Sequence, residues 1–279
     1  MNQKAAGDDQ DQLVVPIKHP SRIAEPDLFV RLLGPSLSNI APQKNYRAII
    51  LSITEGTPLP ELPALARVIA APSDEAPDSM NADDLQGYYA RVRSDKGLRV
   101  SRAFETITDR SDFMMVVDDD DLIHPELSEY VSRNDNGKCS GFVISKGYTL
   151  NIGTDRMAEL DAFDRACGSS LIVRADRFQY QPGLTGAAWE DAIAELGSHI
   201  LIPKTLRKSK DALRDIPFRA AIYRMGNPNA TQGEISKRFS AHMTTDSRRW
   251  NEDAVLDDAE RDGVFASFLG GKDAVAGQV

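Results

Sequence analysis

Apolar residues in the first 130 positions come as short runs separated by segments of helical periodicity. Residues 13–17 (LVVPI), 46–54 (YRAIILSIT), 67–71 (RVIAA) and 113–117 (FMMVV) have the length and apolar continuity of buried strands. Between the first two, Leu28, Phe29, Leu32, Leu33, Leu37 and Ile40 recur near a 3.6-residue period, behind Pro26 at a first-turn position. Gly34 and Pro35 interrupt that face and predict a kink or a break. Val100, Ala103, Phe104 and Ile107 predict a helix over residues 95–110. His124-Pro125-Glu126 opens another, with Leu127, Tyr130 and Val131 on one side. Strand and helix in alternation predict an α/β fold, a parallel sheet with helices on its faces.

Beyond residue 130 the pattern loosens. Residues 141–151, 169–174 (SSLIVR) and 218–224 (FRAAIYR) read as strands, and 187–196 as a helix. Residues 72–87, rich in Pro, Asp, Ser and Asn, read as a loop. The polar residues 1–11 read as a disordered tail, followed by one domain over 12–231. Residues 232–279 read as an extension with one weak helical segment, 234–242, and an acidic tail.

Composition narrows the function more by exclusion. A net charge of −9 argues against a general nucleic-acid or anionic-membrane binder. Cys139 and Cys167 are too few for a disulfide framework, which with the polar N-terminus favours the cytoplasm. No stretch approaches the ~20 apolar residues of a membrane span, leaving peripheral association as the only membrane role considered.

The strongest local signal is MMVVDDDDLIHPE, four carboxylates directly after an apolar strand and before a helix. In a parallel α/β sheet that junction lies at the carboxyl edge, where ligands bind. Adjacent carboxylates repel one another unless a cation neutralises them, and Mg²⁺ or Mn²⁺ commonly bridges such groups to phosphates. The competing reading is a solvated acidic turn. An EF-hand loop is excluded by the missing alternation and central glycine.

These residues resemble the DxD region of family 2 inverting glycosyltransferases, in which an apolar strand leads into D-x-D-D and a Pro-containing helix start. LVVPIKHPSR resembles that family's first strand and following loop, DLFVRLLGPSLSNIAPQ its first helix, and DKGLRVSRAFETIT the helix before the DxD strand. Downstream, GSSLIVRADRFQYQPGLTGAAWED resembles the stretch ending in the family's Glu-Asp pair, and IYRMGNPNAT a C-terminal Tyr-Arg element. The likeness spans residues 13–231, with rhamnosyltransferase-like bacterial members, and hence surface polysaccharide, the nearest in character.

The resemblance implies a GT-A fold, a mixed central sheet with helices on both faces. It implies transfer of a sugar from a nucleotide-sugar donor to a saccharide or lipid-linked acceptor, with inversion, using Mn²⁺ or Mg²⁺. Asp120 is then the first metal ligand. Asp118 contacts the ribose, the metal or its water, and Asp119 and Asp121 stand behind them. Asp191, beside Glu190 and Trp189, takes the position of the base. Lys96, Arg99 and Arg102, with Lys18 and Arg22, read either as pyrophosphate contacts or as solvated faces. Two departures stand out. The family's base-binding Asp pair is replaced by Ser52-Ile53-Thr54-Glu55, leaving Thr54 or Glu55 as substitutes. Met225 stands near the place of a histidine, for which His199 or His242 could compensate.

Two other readings share the scaffold. A sugar nucleotidyltransferase would make the activated sugar rather than spend it, but usually carries a glycine-rich loop after the first strand, and IKHPSR has no glycine. A catalytically inactive binding module would keep the fold without the chemistry.

Overall fold

The computed structural model describes residues 11–41, 46–71, 84–107, 112–208, 213–229 and 250–269. The segments 1–10, 72–83 and 270–279, His242 and the expected helix at 234–242 lie outside them. Two sheets organise the described chain. The larger has seven strands: β1 (Asp11–Pro16), β2 (Tyr46–Ile53), β3 (Ala66–Ala70), β4 (Phe113–Val116), β6 (Gly141–Val143), β9 (Leu171–Arg174) and β10 (Arg214–Asp215). Their order is β10-β6-β9-β4-β1-β2-β3. The smaller, β5-β11-β7-β8, joins β5 (Leu122–Ile123), β7 (Lys146–Asn151), β8 (Arg156–Asp161) and β11 (Ala221–Met225).

β4, β1, β2 and β3 run parallel, as the alternation of strand and helix predicts, while β9 pairs antiparallel with both β4 and β6. The central sheet is therefore mixed. Its two faces follow the period-2 geometry of strands. Leu13, Val15, Ile49, Leu51, Phe113 and Met115 face α1 (Pro26–Ile40) and α3 (Leu127–Asn134). Val14, Ala48, Ile50 and Met114 face α2 (Leu85–Glu105), α4 (Gly186–Leu196) and α5 (Leu201–Lys208). Burial of each large aliphatic side chain contributes about 1.5–3 kcal/mol.

Several elements differ from the sequence expectation. α1 runs unbroken through Gly34 and Pro35. Phe29, Leu33, Leu37 and Ile40 are buried on both sides of the proline, so packing outweighs its local cost. α2 begins ten residues before Asp95, capped by the Asp84 side chain, which accepts from the Gly87 N–H. Residues 85–87 fall within the expected loop, and residues 88–94 within no expected element. Residues 141–151 form two strands rather than one, while β8 and α5 had no distinct signal.

The stretch expected as an acidic tail contains α6 (Asp258–Leu269). Its Phe265 and Phe268 pack with Leu122, Leu150, Met157 and Ile222 on the smaller sheet. Asn39 ties this helix to the core, donating to the Phe268 carbonyl at 2.5 Å and accepting from the Ile123 N–H at 2.8 Å. Among the described residues no helix is long and apolar enough to cross a membrane.

Candidate functional site

The chain proceeds from β1 to β2 and β3 on one side, then returns to place β4 on the other. Loops leaving β1 and β4 therefore diverge, and a crevice opens at their carboxyl ends. Val14 pairs with Val116, so Pro16 and Asp118 lie level. Lys18 and Asp118, Asp119 and Asp120 thus face each other across that crevice.

Asp118–Asp121 form a tight turn closed by the Asp121 N–H donating to the Asp118 carbonyl at 3.2 Å. Each carboxylate finds a different partner. Lys96 on α2 pairs with Asp118 Oδ1, and Lys18 Nζ lies 3.2 Å from Asp119 Oδ1. Asn227, just after β11, donates to Asp120 Oδ2 at 2.6 Å. Asp121 is fully buried and accepts from Ser169 Oγ at 2.6 Å and Cys167 Sγ at 3.0 Å. Ser169 Oγ also accepts the Asp118 N–H at 2.8 Å, so one hydroxyl pins both ends of the turn.

Burial opposes charge here, and the ion pairs decide which groups keep it. Burial raises Asp118, but the neighbouring Lys96 ammonium outweighs it and holds the carboxyl below its ordinary range. Lys96 is raised in turn, the Asp118 charge overcoming the desolvation that works against its ammonium. Asp119 is pushed up to about 6 by burial, only partly relieved by Lys18 and aggravated by the charges of Asp120 and Asp118. Asp121 rises well above the carboxylate range through burial and the same two charges. Beneath the turn, the buried Arg224 guanidinium donates to Ser36 Oγ at 2.8 Å and the Leu32 carbonyl at 3.2 Å. Burial lowers its pKa against the raising influence of Asp120, Asp121 and Asp119.

A cleft of about 310 Å³ opens above the turn, at the small end of the range for small-ligand sites. Asp118, Asp119 and Asp120 line it with Lys18, Arg22, Arg93, Lys96 and Arg99; Tyr89, His199, Ile200 and Tyr223 also border it. Its floor depends on Gly168, where a Cβ would lie 2.5 Å from Asp118 Oδ2 and 3.0 Å from Lys96 Nζ. Its α2 wall is set by a close helix crossing. A Cβ on Gly97 would collide with the Ile193 carbonyl, and one on Gly197 with the Arg93 carbonyl.

Of the residues singled out from sequence, the fold brings together Asp118, Asp119, Asp120, Lys96, Arg99, Lys18, Arg22 and His199. Thr54 lies behind Arg99, accepting from its Nη1 at 3.1 Å, while Asp95 holds the Arg99 Nε at 3.1 Å. Asp121 turns inward as a structural pin. Arg102, Glu190 and Asp191 lie off the cleft wall as well. Arg102 projects into solvent, where it pairs with Glu105 at 2.9 Å. Glu190 and Asp191 are exposed in the second turn of α4, and the α2 crossing brings the opposite end of that helix, Gly197 to His199, to the cleft. Sequence reading missed Tyr89 and Arg93, which sit on the part of α2 between the expected loop and the expected helix. It missed Asn227, whose reach to Asp120 has no local signature.

Among the described residues no three carboxylate, imidazole or thiolate groups converge as a ready-made metal cage. One observation nevertheless fits a cation: Asp119 Oδ2 is buried and has no hydrogen-bond partner. A hard divalent ion needs only one or two protein carboxylates when phosphate oxygens and water complete its shell.

No family model matches the chain, and no curated protein matches it significantly. Solved structures with overall similarity include a 4-diphosphocytidyl-2C-methyl-D-erythritol synthase (8% identity, TM-score 0.38, covering 83% of this chain and 97% of that one). A second is the 2-C-methyl-D-erythritol 4-phosphate cytidylyltransferase of Francisella tularensis (8%, 0.37, 82% and 98%). The third is the 4-diphosphocytidyl-2C-methyl-D-erythritol synthase of Anaerococcus prevotii DSM 20548 (9%, 0.38, 81% and 95%). None of the three is a family 2 glycosyltransferase. Similarity of this degree concerns overall shape and does not choose between making an activated sugar and spending one.

Proposed function

We propose that this chain is a metal-dependent transferase acting on a nucleotide-activated sugar, and that its reaction is glycosyl transfer to an acceptor hydroxyl. One observation carries the reading: at the sheet's reversal point Asp119, with one buried, unpartnered carboxylate oxygen, lines a cleft shared by Asp118, Asp120, Lys18 and Lys96. Carboxylates and ammonium groups alternating in one cleft suit a ligand that is itself anionic and cation-bound, which a diphosphate is.

In this reading Asp118 and Asp120 hold the divalent ion, with Asp119 beside them. The ion supplies charge neutralisation for the departing diphosphate. Lys18 and Lys96 bind the phosphate oxygens, and Arg99, fixed by Asp95 and Thr54, orients the nucleoside side. Such prearranged cations are worth most in a water-poor site, where they stabilise charge as it develops. The acceptor hydroxyl must lose a proton as its oxygen attacks the anomeric carbon. His199 borders the cleft and feels the charge of Asp118, and we assign it, rather than the exposed Asp191, to receive that proton.

A second reading, nucleotidyl transfer, is favoured by one feature. Lys18, Arg22, Arg93, Lys96 and Arg99 crowd a cleft that Glu190 and Asp191 do not enter. A sugar phosphate attacking a nucleoside triphosphate is already ionised and needs no base. It is also the reaction class of the three solved structures named above. Against it, the loop after β1 has no glycine to wrap a triphosphate and is held by Lys18 to the Asn229 carbonyl at 2.9 Å.

The two are separated by their products. Glycosyl transfer releases a nucleoside diphosphate from a sugar nucleotide, in a Mn²⁺- or Mg²⁺-dependent manner. Pyrophosphate released from sugar phosphate and nucleoside triphosphate, with no turnover of sugar nucleotides, would replace the first reading by the second.

A further inference from the structure

The acidic turn already has two resident cations. Lys18 Nζ sits 3.2 Å from Asp119 Oδ1, with only 14% and 7% of the two side chains exposed, and Lys96 is bonded to Asp118 Oδ1. Both ammonium groups border the cleft that would receive a diphosphate. Resting on the donor-site reading above, we propose that Lys18 and Lys96 are exchangeable counter-cations. They occupy the carboxylates until a diphosphate draws them away, so that the divalent ion and the diphosphate each bind tightly only with the other.

The argument is electrostatic. A divalent ion entering the turn alone would meet two ammonium groups within a few ångströms, and repulsion at that range exceeds thermal energy several-fold at the dielectric of a protein surface. It would also have to displace two formed ion pairs. A diphosphate entering alone would meet the carboxylates of Asp118, Asp119 and Asp120 with only lysines already engaged elsewhere. Arriving together, each ligand supplies what the other lacks: the lysines pass to phosphate oxygens and the freed carboxylates pass to the ion. Arg224 does not take part, because Leu32 and Ser36 hold its guanidinium beneath the turn as fixed charge. The unpartnered Asp119 Oδ2, nine-tenths buried, marks where the exchange begins. Such coupling is reciprocal by thermodynamic necessity, and typical couplings span about 5–150-fold.

The test measures Mn²⁺ binding through the electron paramagnetic resonance of the free ion, with and without methylenediphosphonate as a base-free, non-hydrolysable diphosphate. Wild-type protein should bind Mn²⁺ alone weakly, and at least about tenfold more tightly when saturated with the diphosphonate. Lys18→Met and Lys96→Met keep the length of the side chain without its charge. Each should bind Mn²⁺ alone at least about tenfold more tightly than wild type and lose most of the enhancement. Lys18→Gln and Lys96→Gln, checked by thermal melting, repeat the comparison if a methionine variant does not fold. Arg133→Met, on the exposed face of α3, should change nothing. Lysine variants that bind Mn²⁺ alone no better than wild type, with the enhancement intact, overturn the exchange and leave the donor site standing. Failure of every form to bind either probe overturns both.

Discussion

Asp118–Asp121 and Glu190–Asp191 are both runs of carboxylates beside an ordered element, and they meet opposite fates. The first follows a buried parallel strand at the reversal point of the sheet, where the chain cannot direct its side chains into water. Asp119, Asp120 and Asp121 are buried, and each of the four finds its own partner from a distant part of the chain. The second stands in the second turn of α4, past its N-terminal turn, where both side chains are exposed and solvent meets their needs. Charge density alone thus says little. What distinguishes a site is the topology that forces charges together and the specific counter-groups that make them tolerable.

The sharpest way to break this contrast is substitution on each side of it. Asp120→Ala should reduce metal-dependent nucleotide binding or turnover at least about a hundredfold, the scale associated with one preorganised electrostatic contact. Asp191→Asn should stay within about threefold, as expected of an exposed residue away from such features. A collapse of turnover in Asp191→Asn with donor binding intact would return the base to α4. Next in size, Gly168→Ala places a methyl group against Asp118 and Lys96. It should weaken diphosphate binding about tenfold while costing about 1–3 kcal/mol of stability, read by titration and thermal melting.

Ser169→Ala should act on stability first. It strips Asp121 and the Asp118 N–H of a shared buried partner, at a cost of about 1–3 kcal/mol, whereas Glu190→Gln should lie within about 0.5 kcal/mol. The smallest effect sharpens the contrast through pH. Folded Asp119, near 6, holds its proton more tightly than the unfolded chain does. Its contribution to stability is therefore fully present below the ordinary carboxylate range and is lost as pH rises through about 6. Mn²⁺ affinity should move the opposite way, weakening as pH falls through about 6. Asp119→Asn should flatten both trends.

Much of this was readable from residue order. The four leading strands, the parallel core and the acidic turn follow from apolar runs and their spacing, because a buried strand has few ways to be polar. The amphipathic part of α2 was equally plain from Val100, Ala103 and Phe104. Its first half was not: Tyr88 is buried and Tyr89 and Arg93 reach the cleft, but they are scattered among polar residues without a repeating face. The partners of the carboxylates were hidden for a different reason. Lys96, Asn227, Ser169 and Cys167 lie between 22 and 107 residues from the aspartates they serve, and no local pattern records such pairing. The exposure of Asp191 was not legible either, since only the packing of α4 on α2 decides which end of that helix meets the crevice.

The glycine contacts that set this packing carry one more consequence. With Gly97 and Gly197 letting two backbones touch, the crossing of α2 and the end of α4 leaves little slack for one to slide on the other. The bank bearing Lys96 and the bank bearing His199 must then travel as one rigid piece. Any embrace of a substrate falls to the opposite shore, the stretch from Lys18 to Glu25 and the Asn227–Asn229 segment bonded to it.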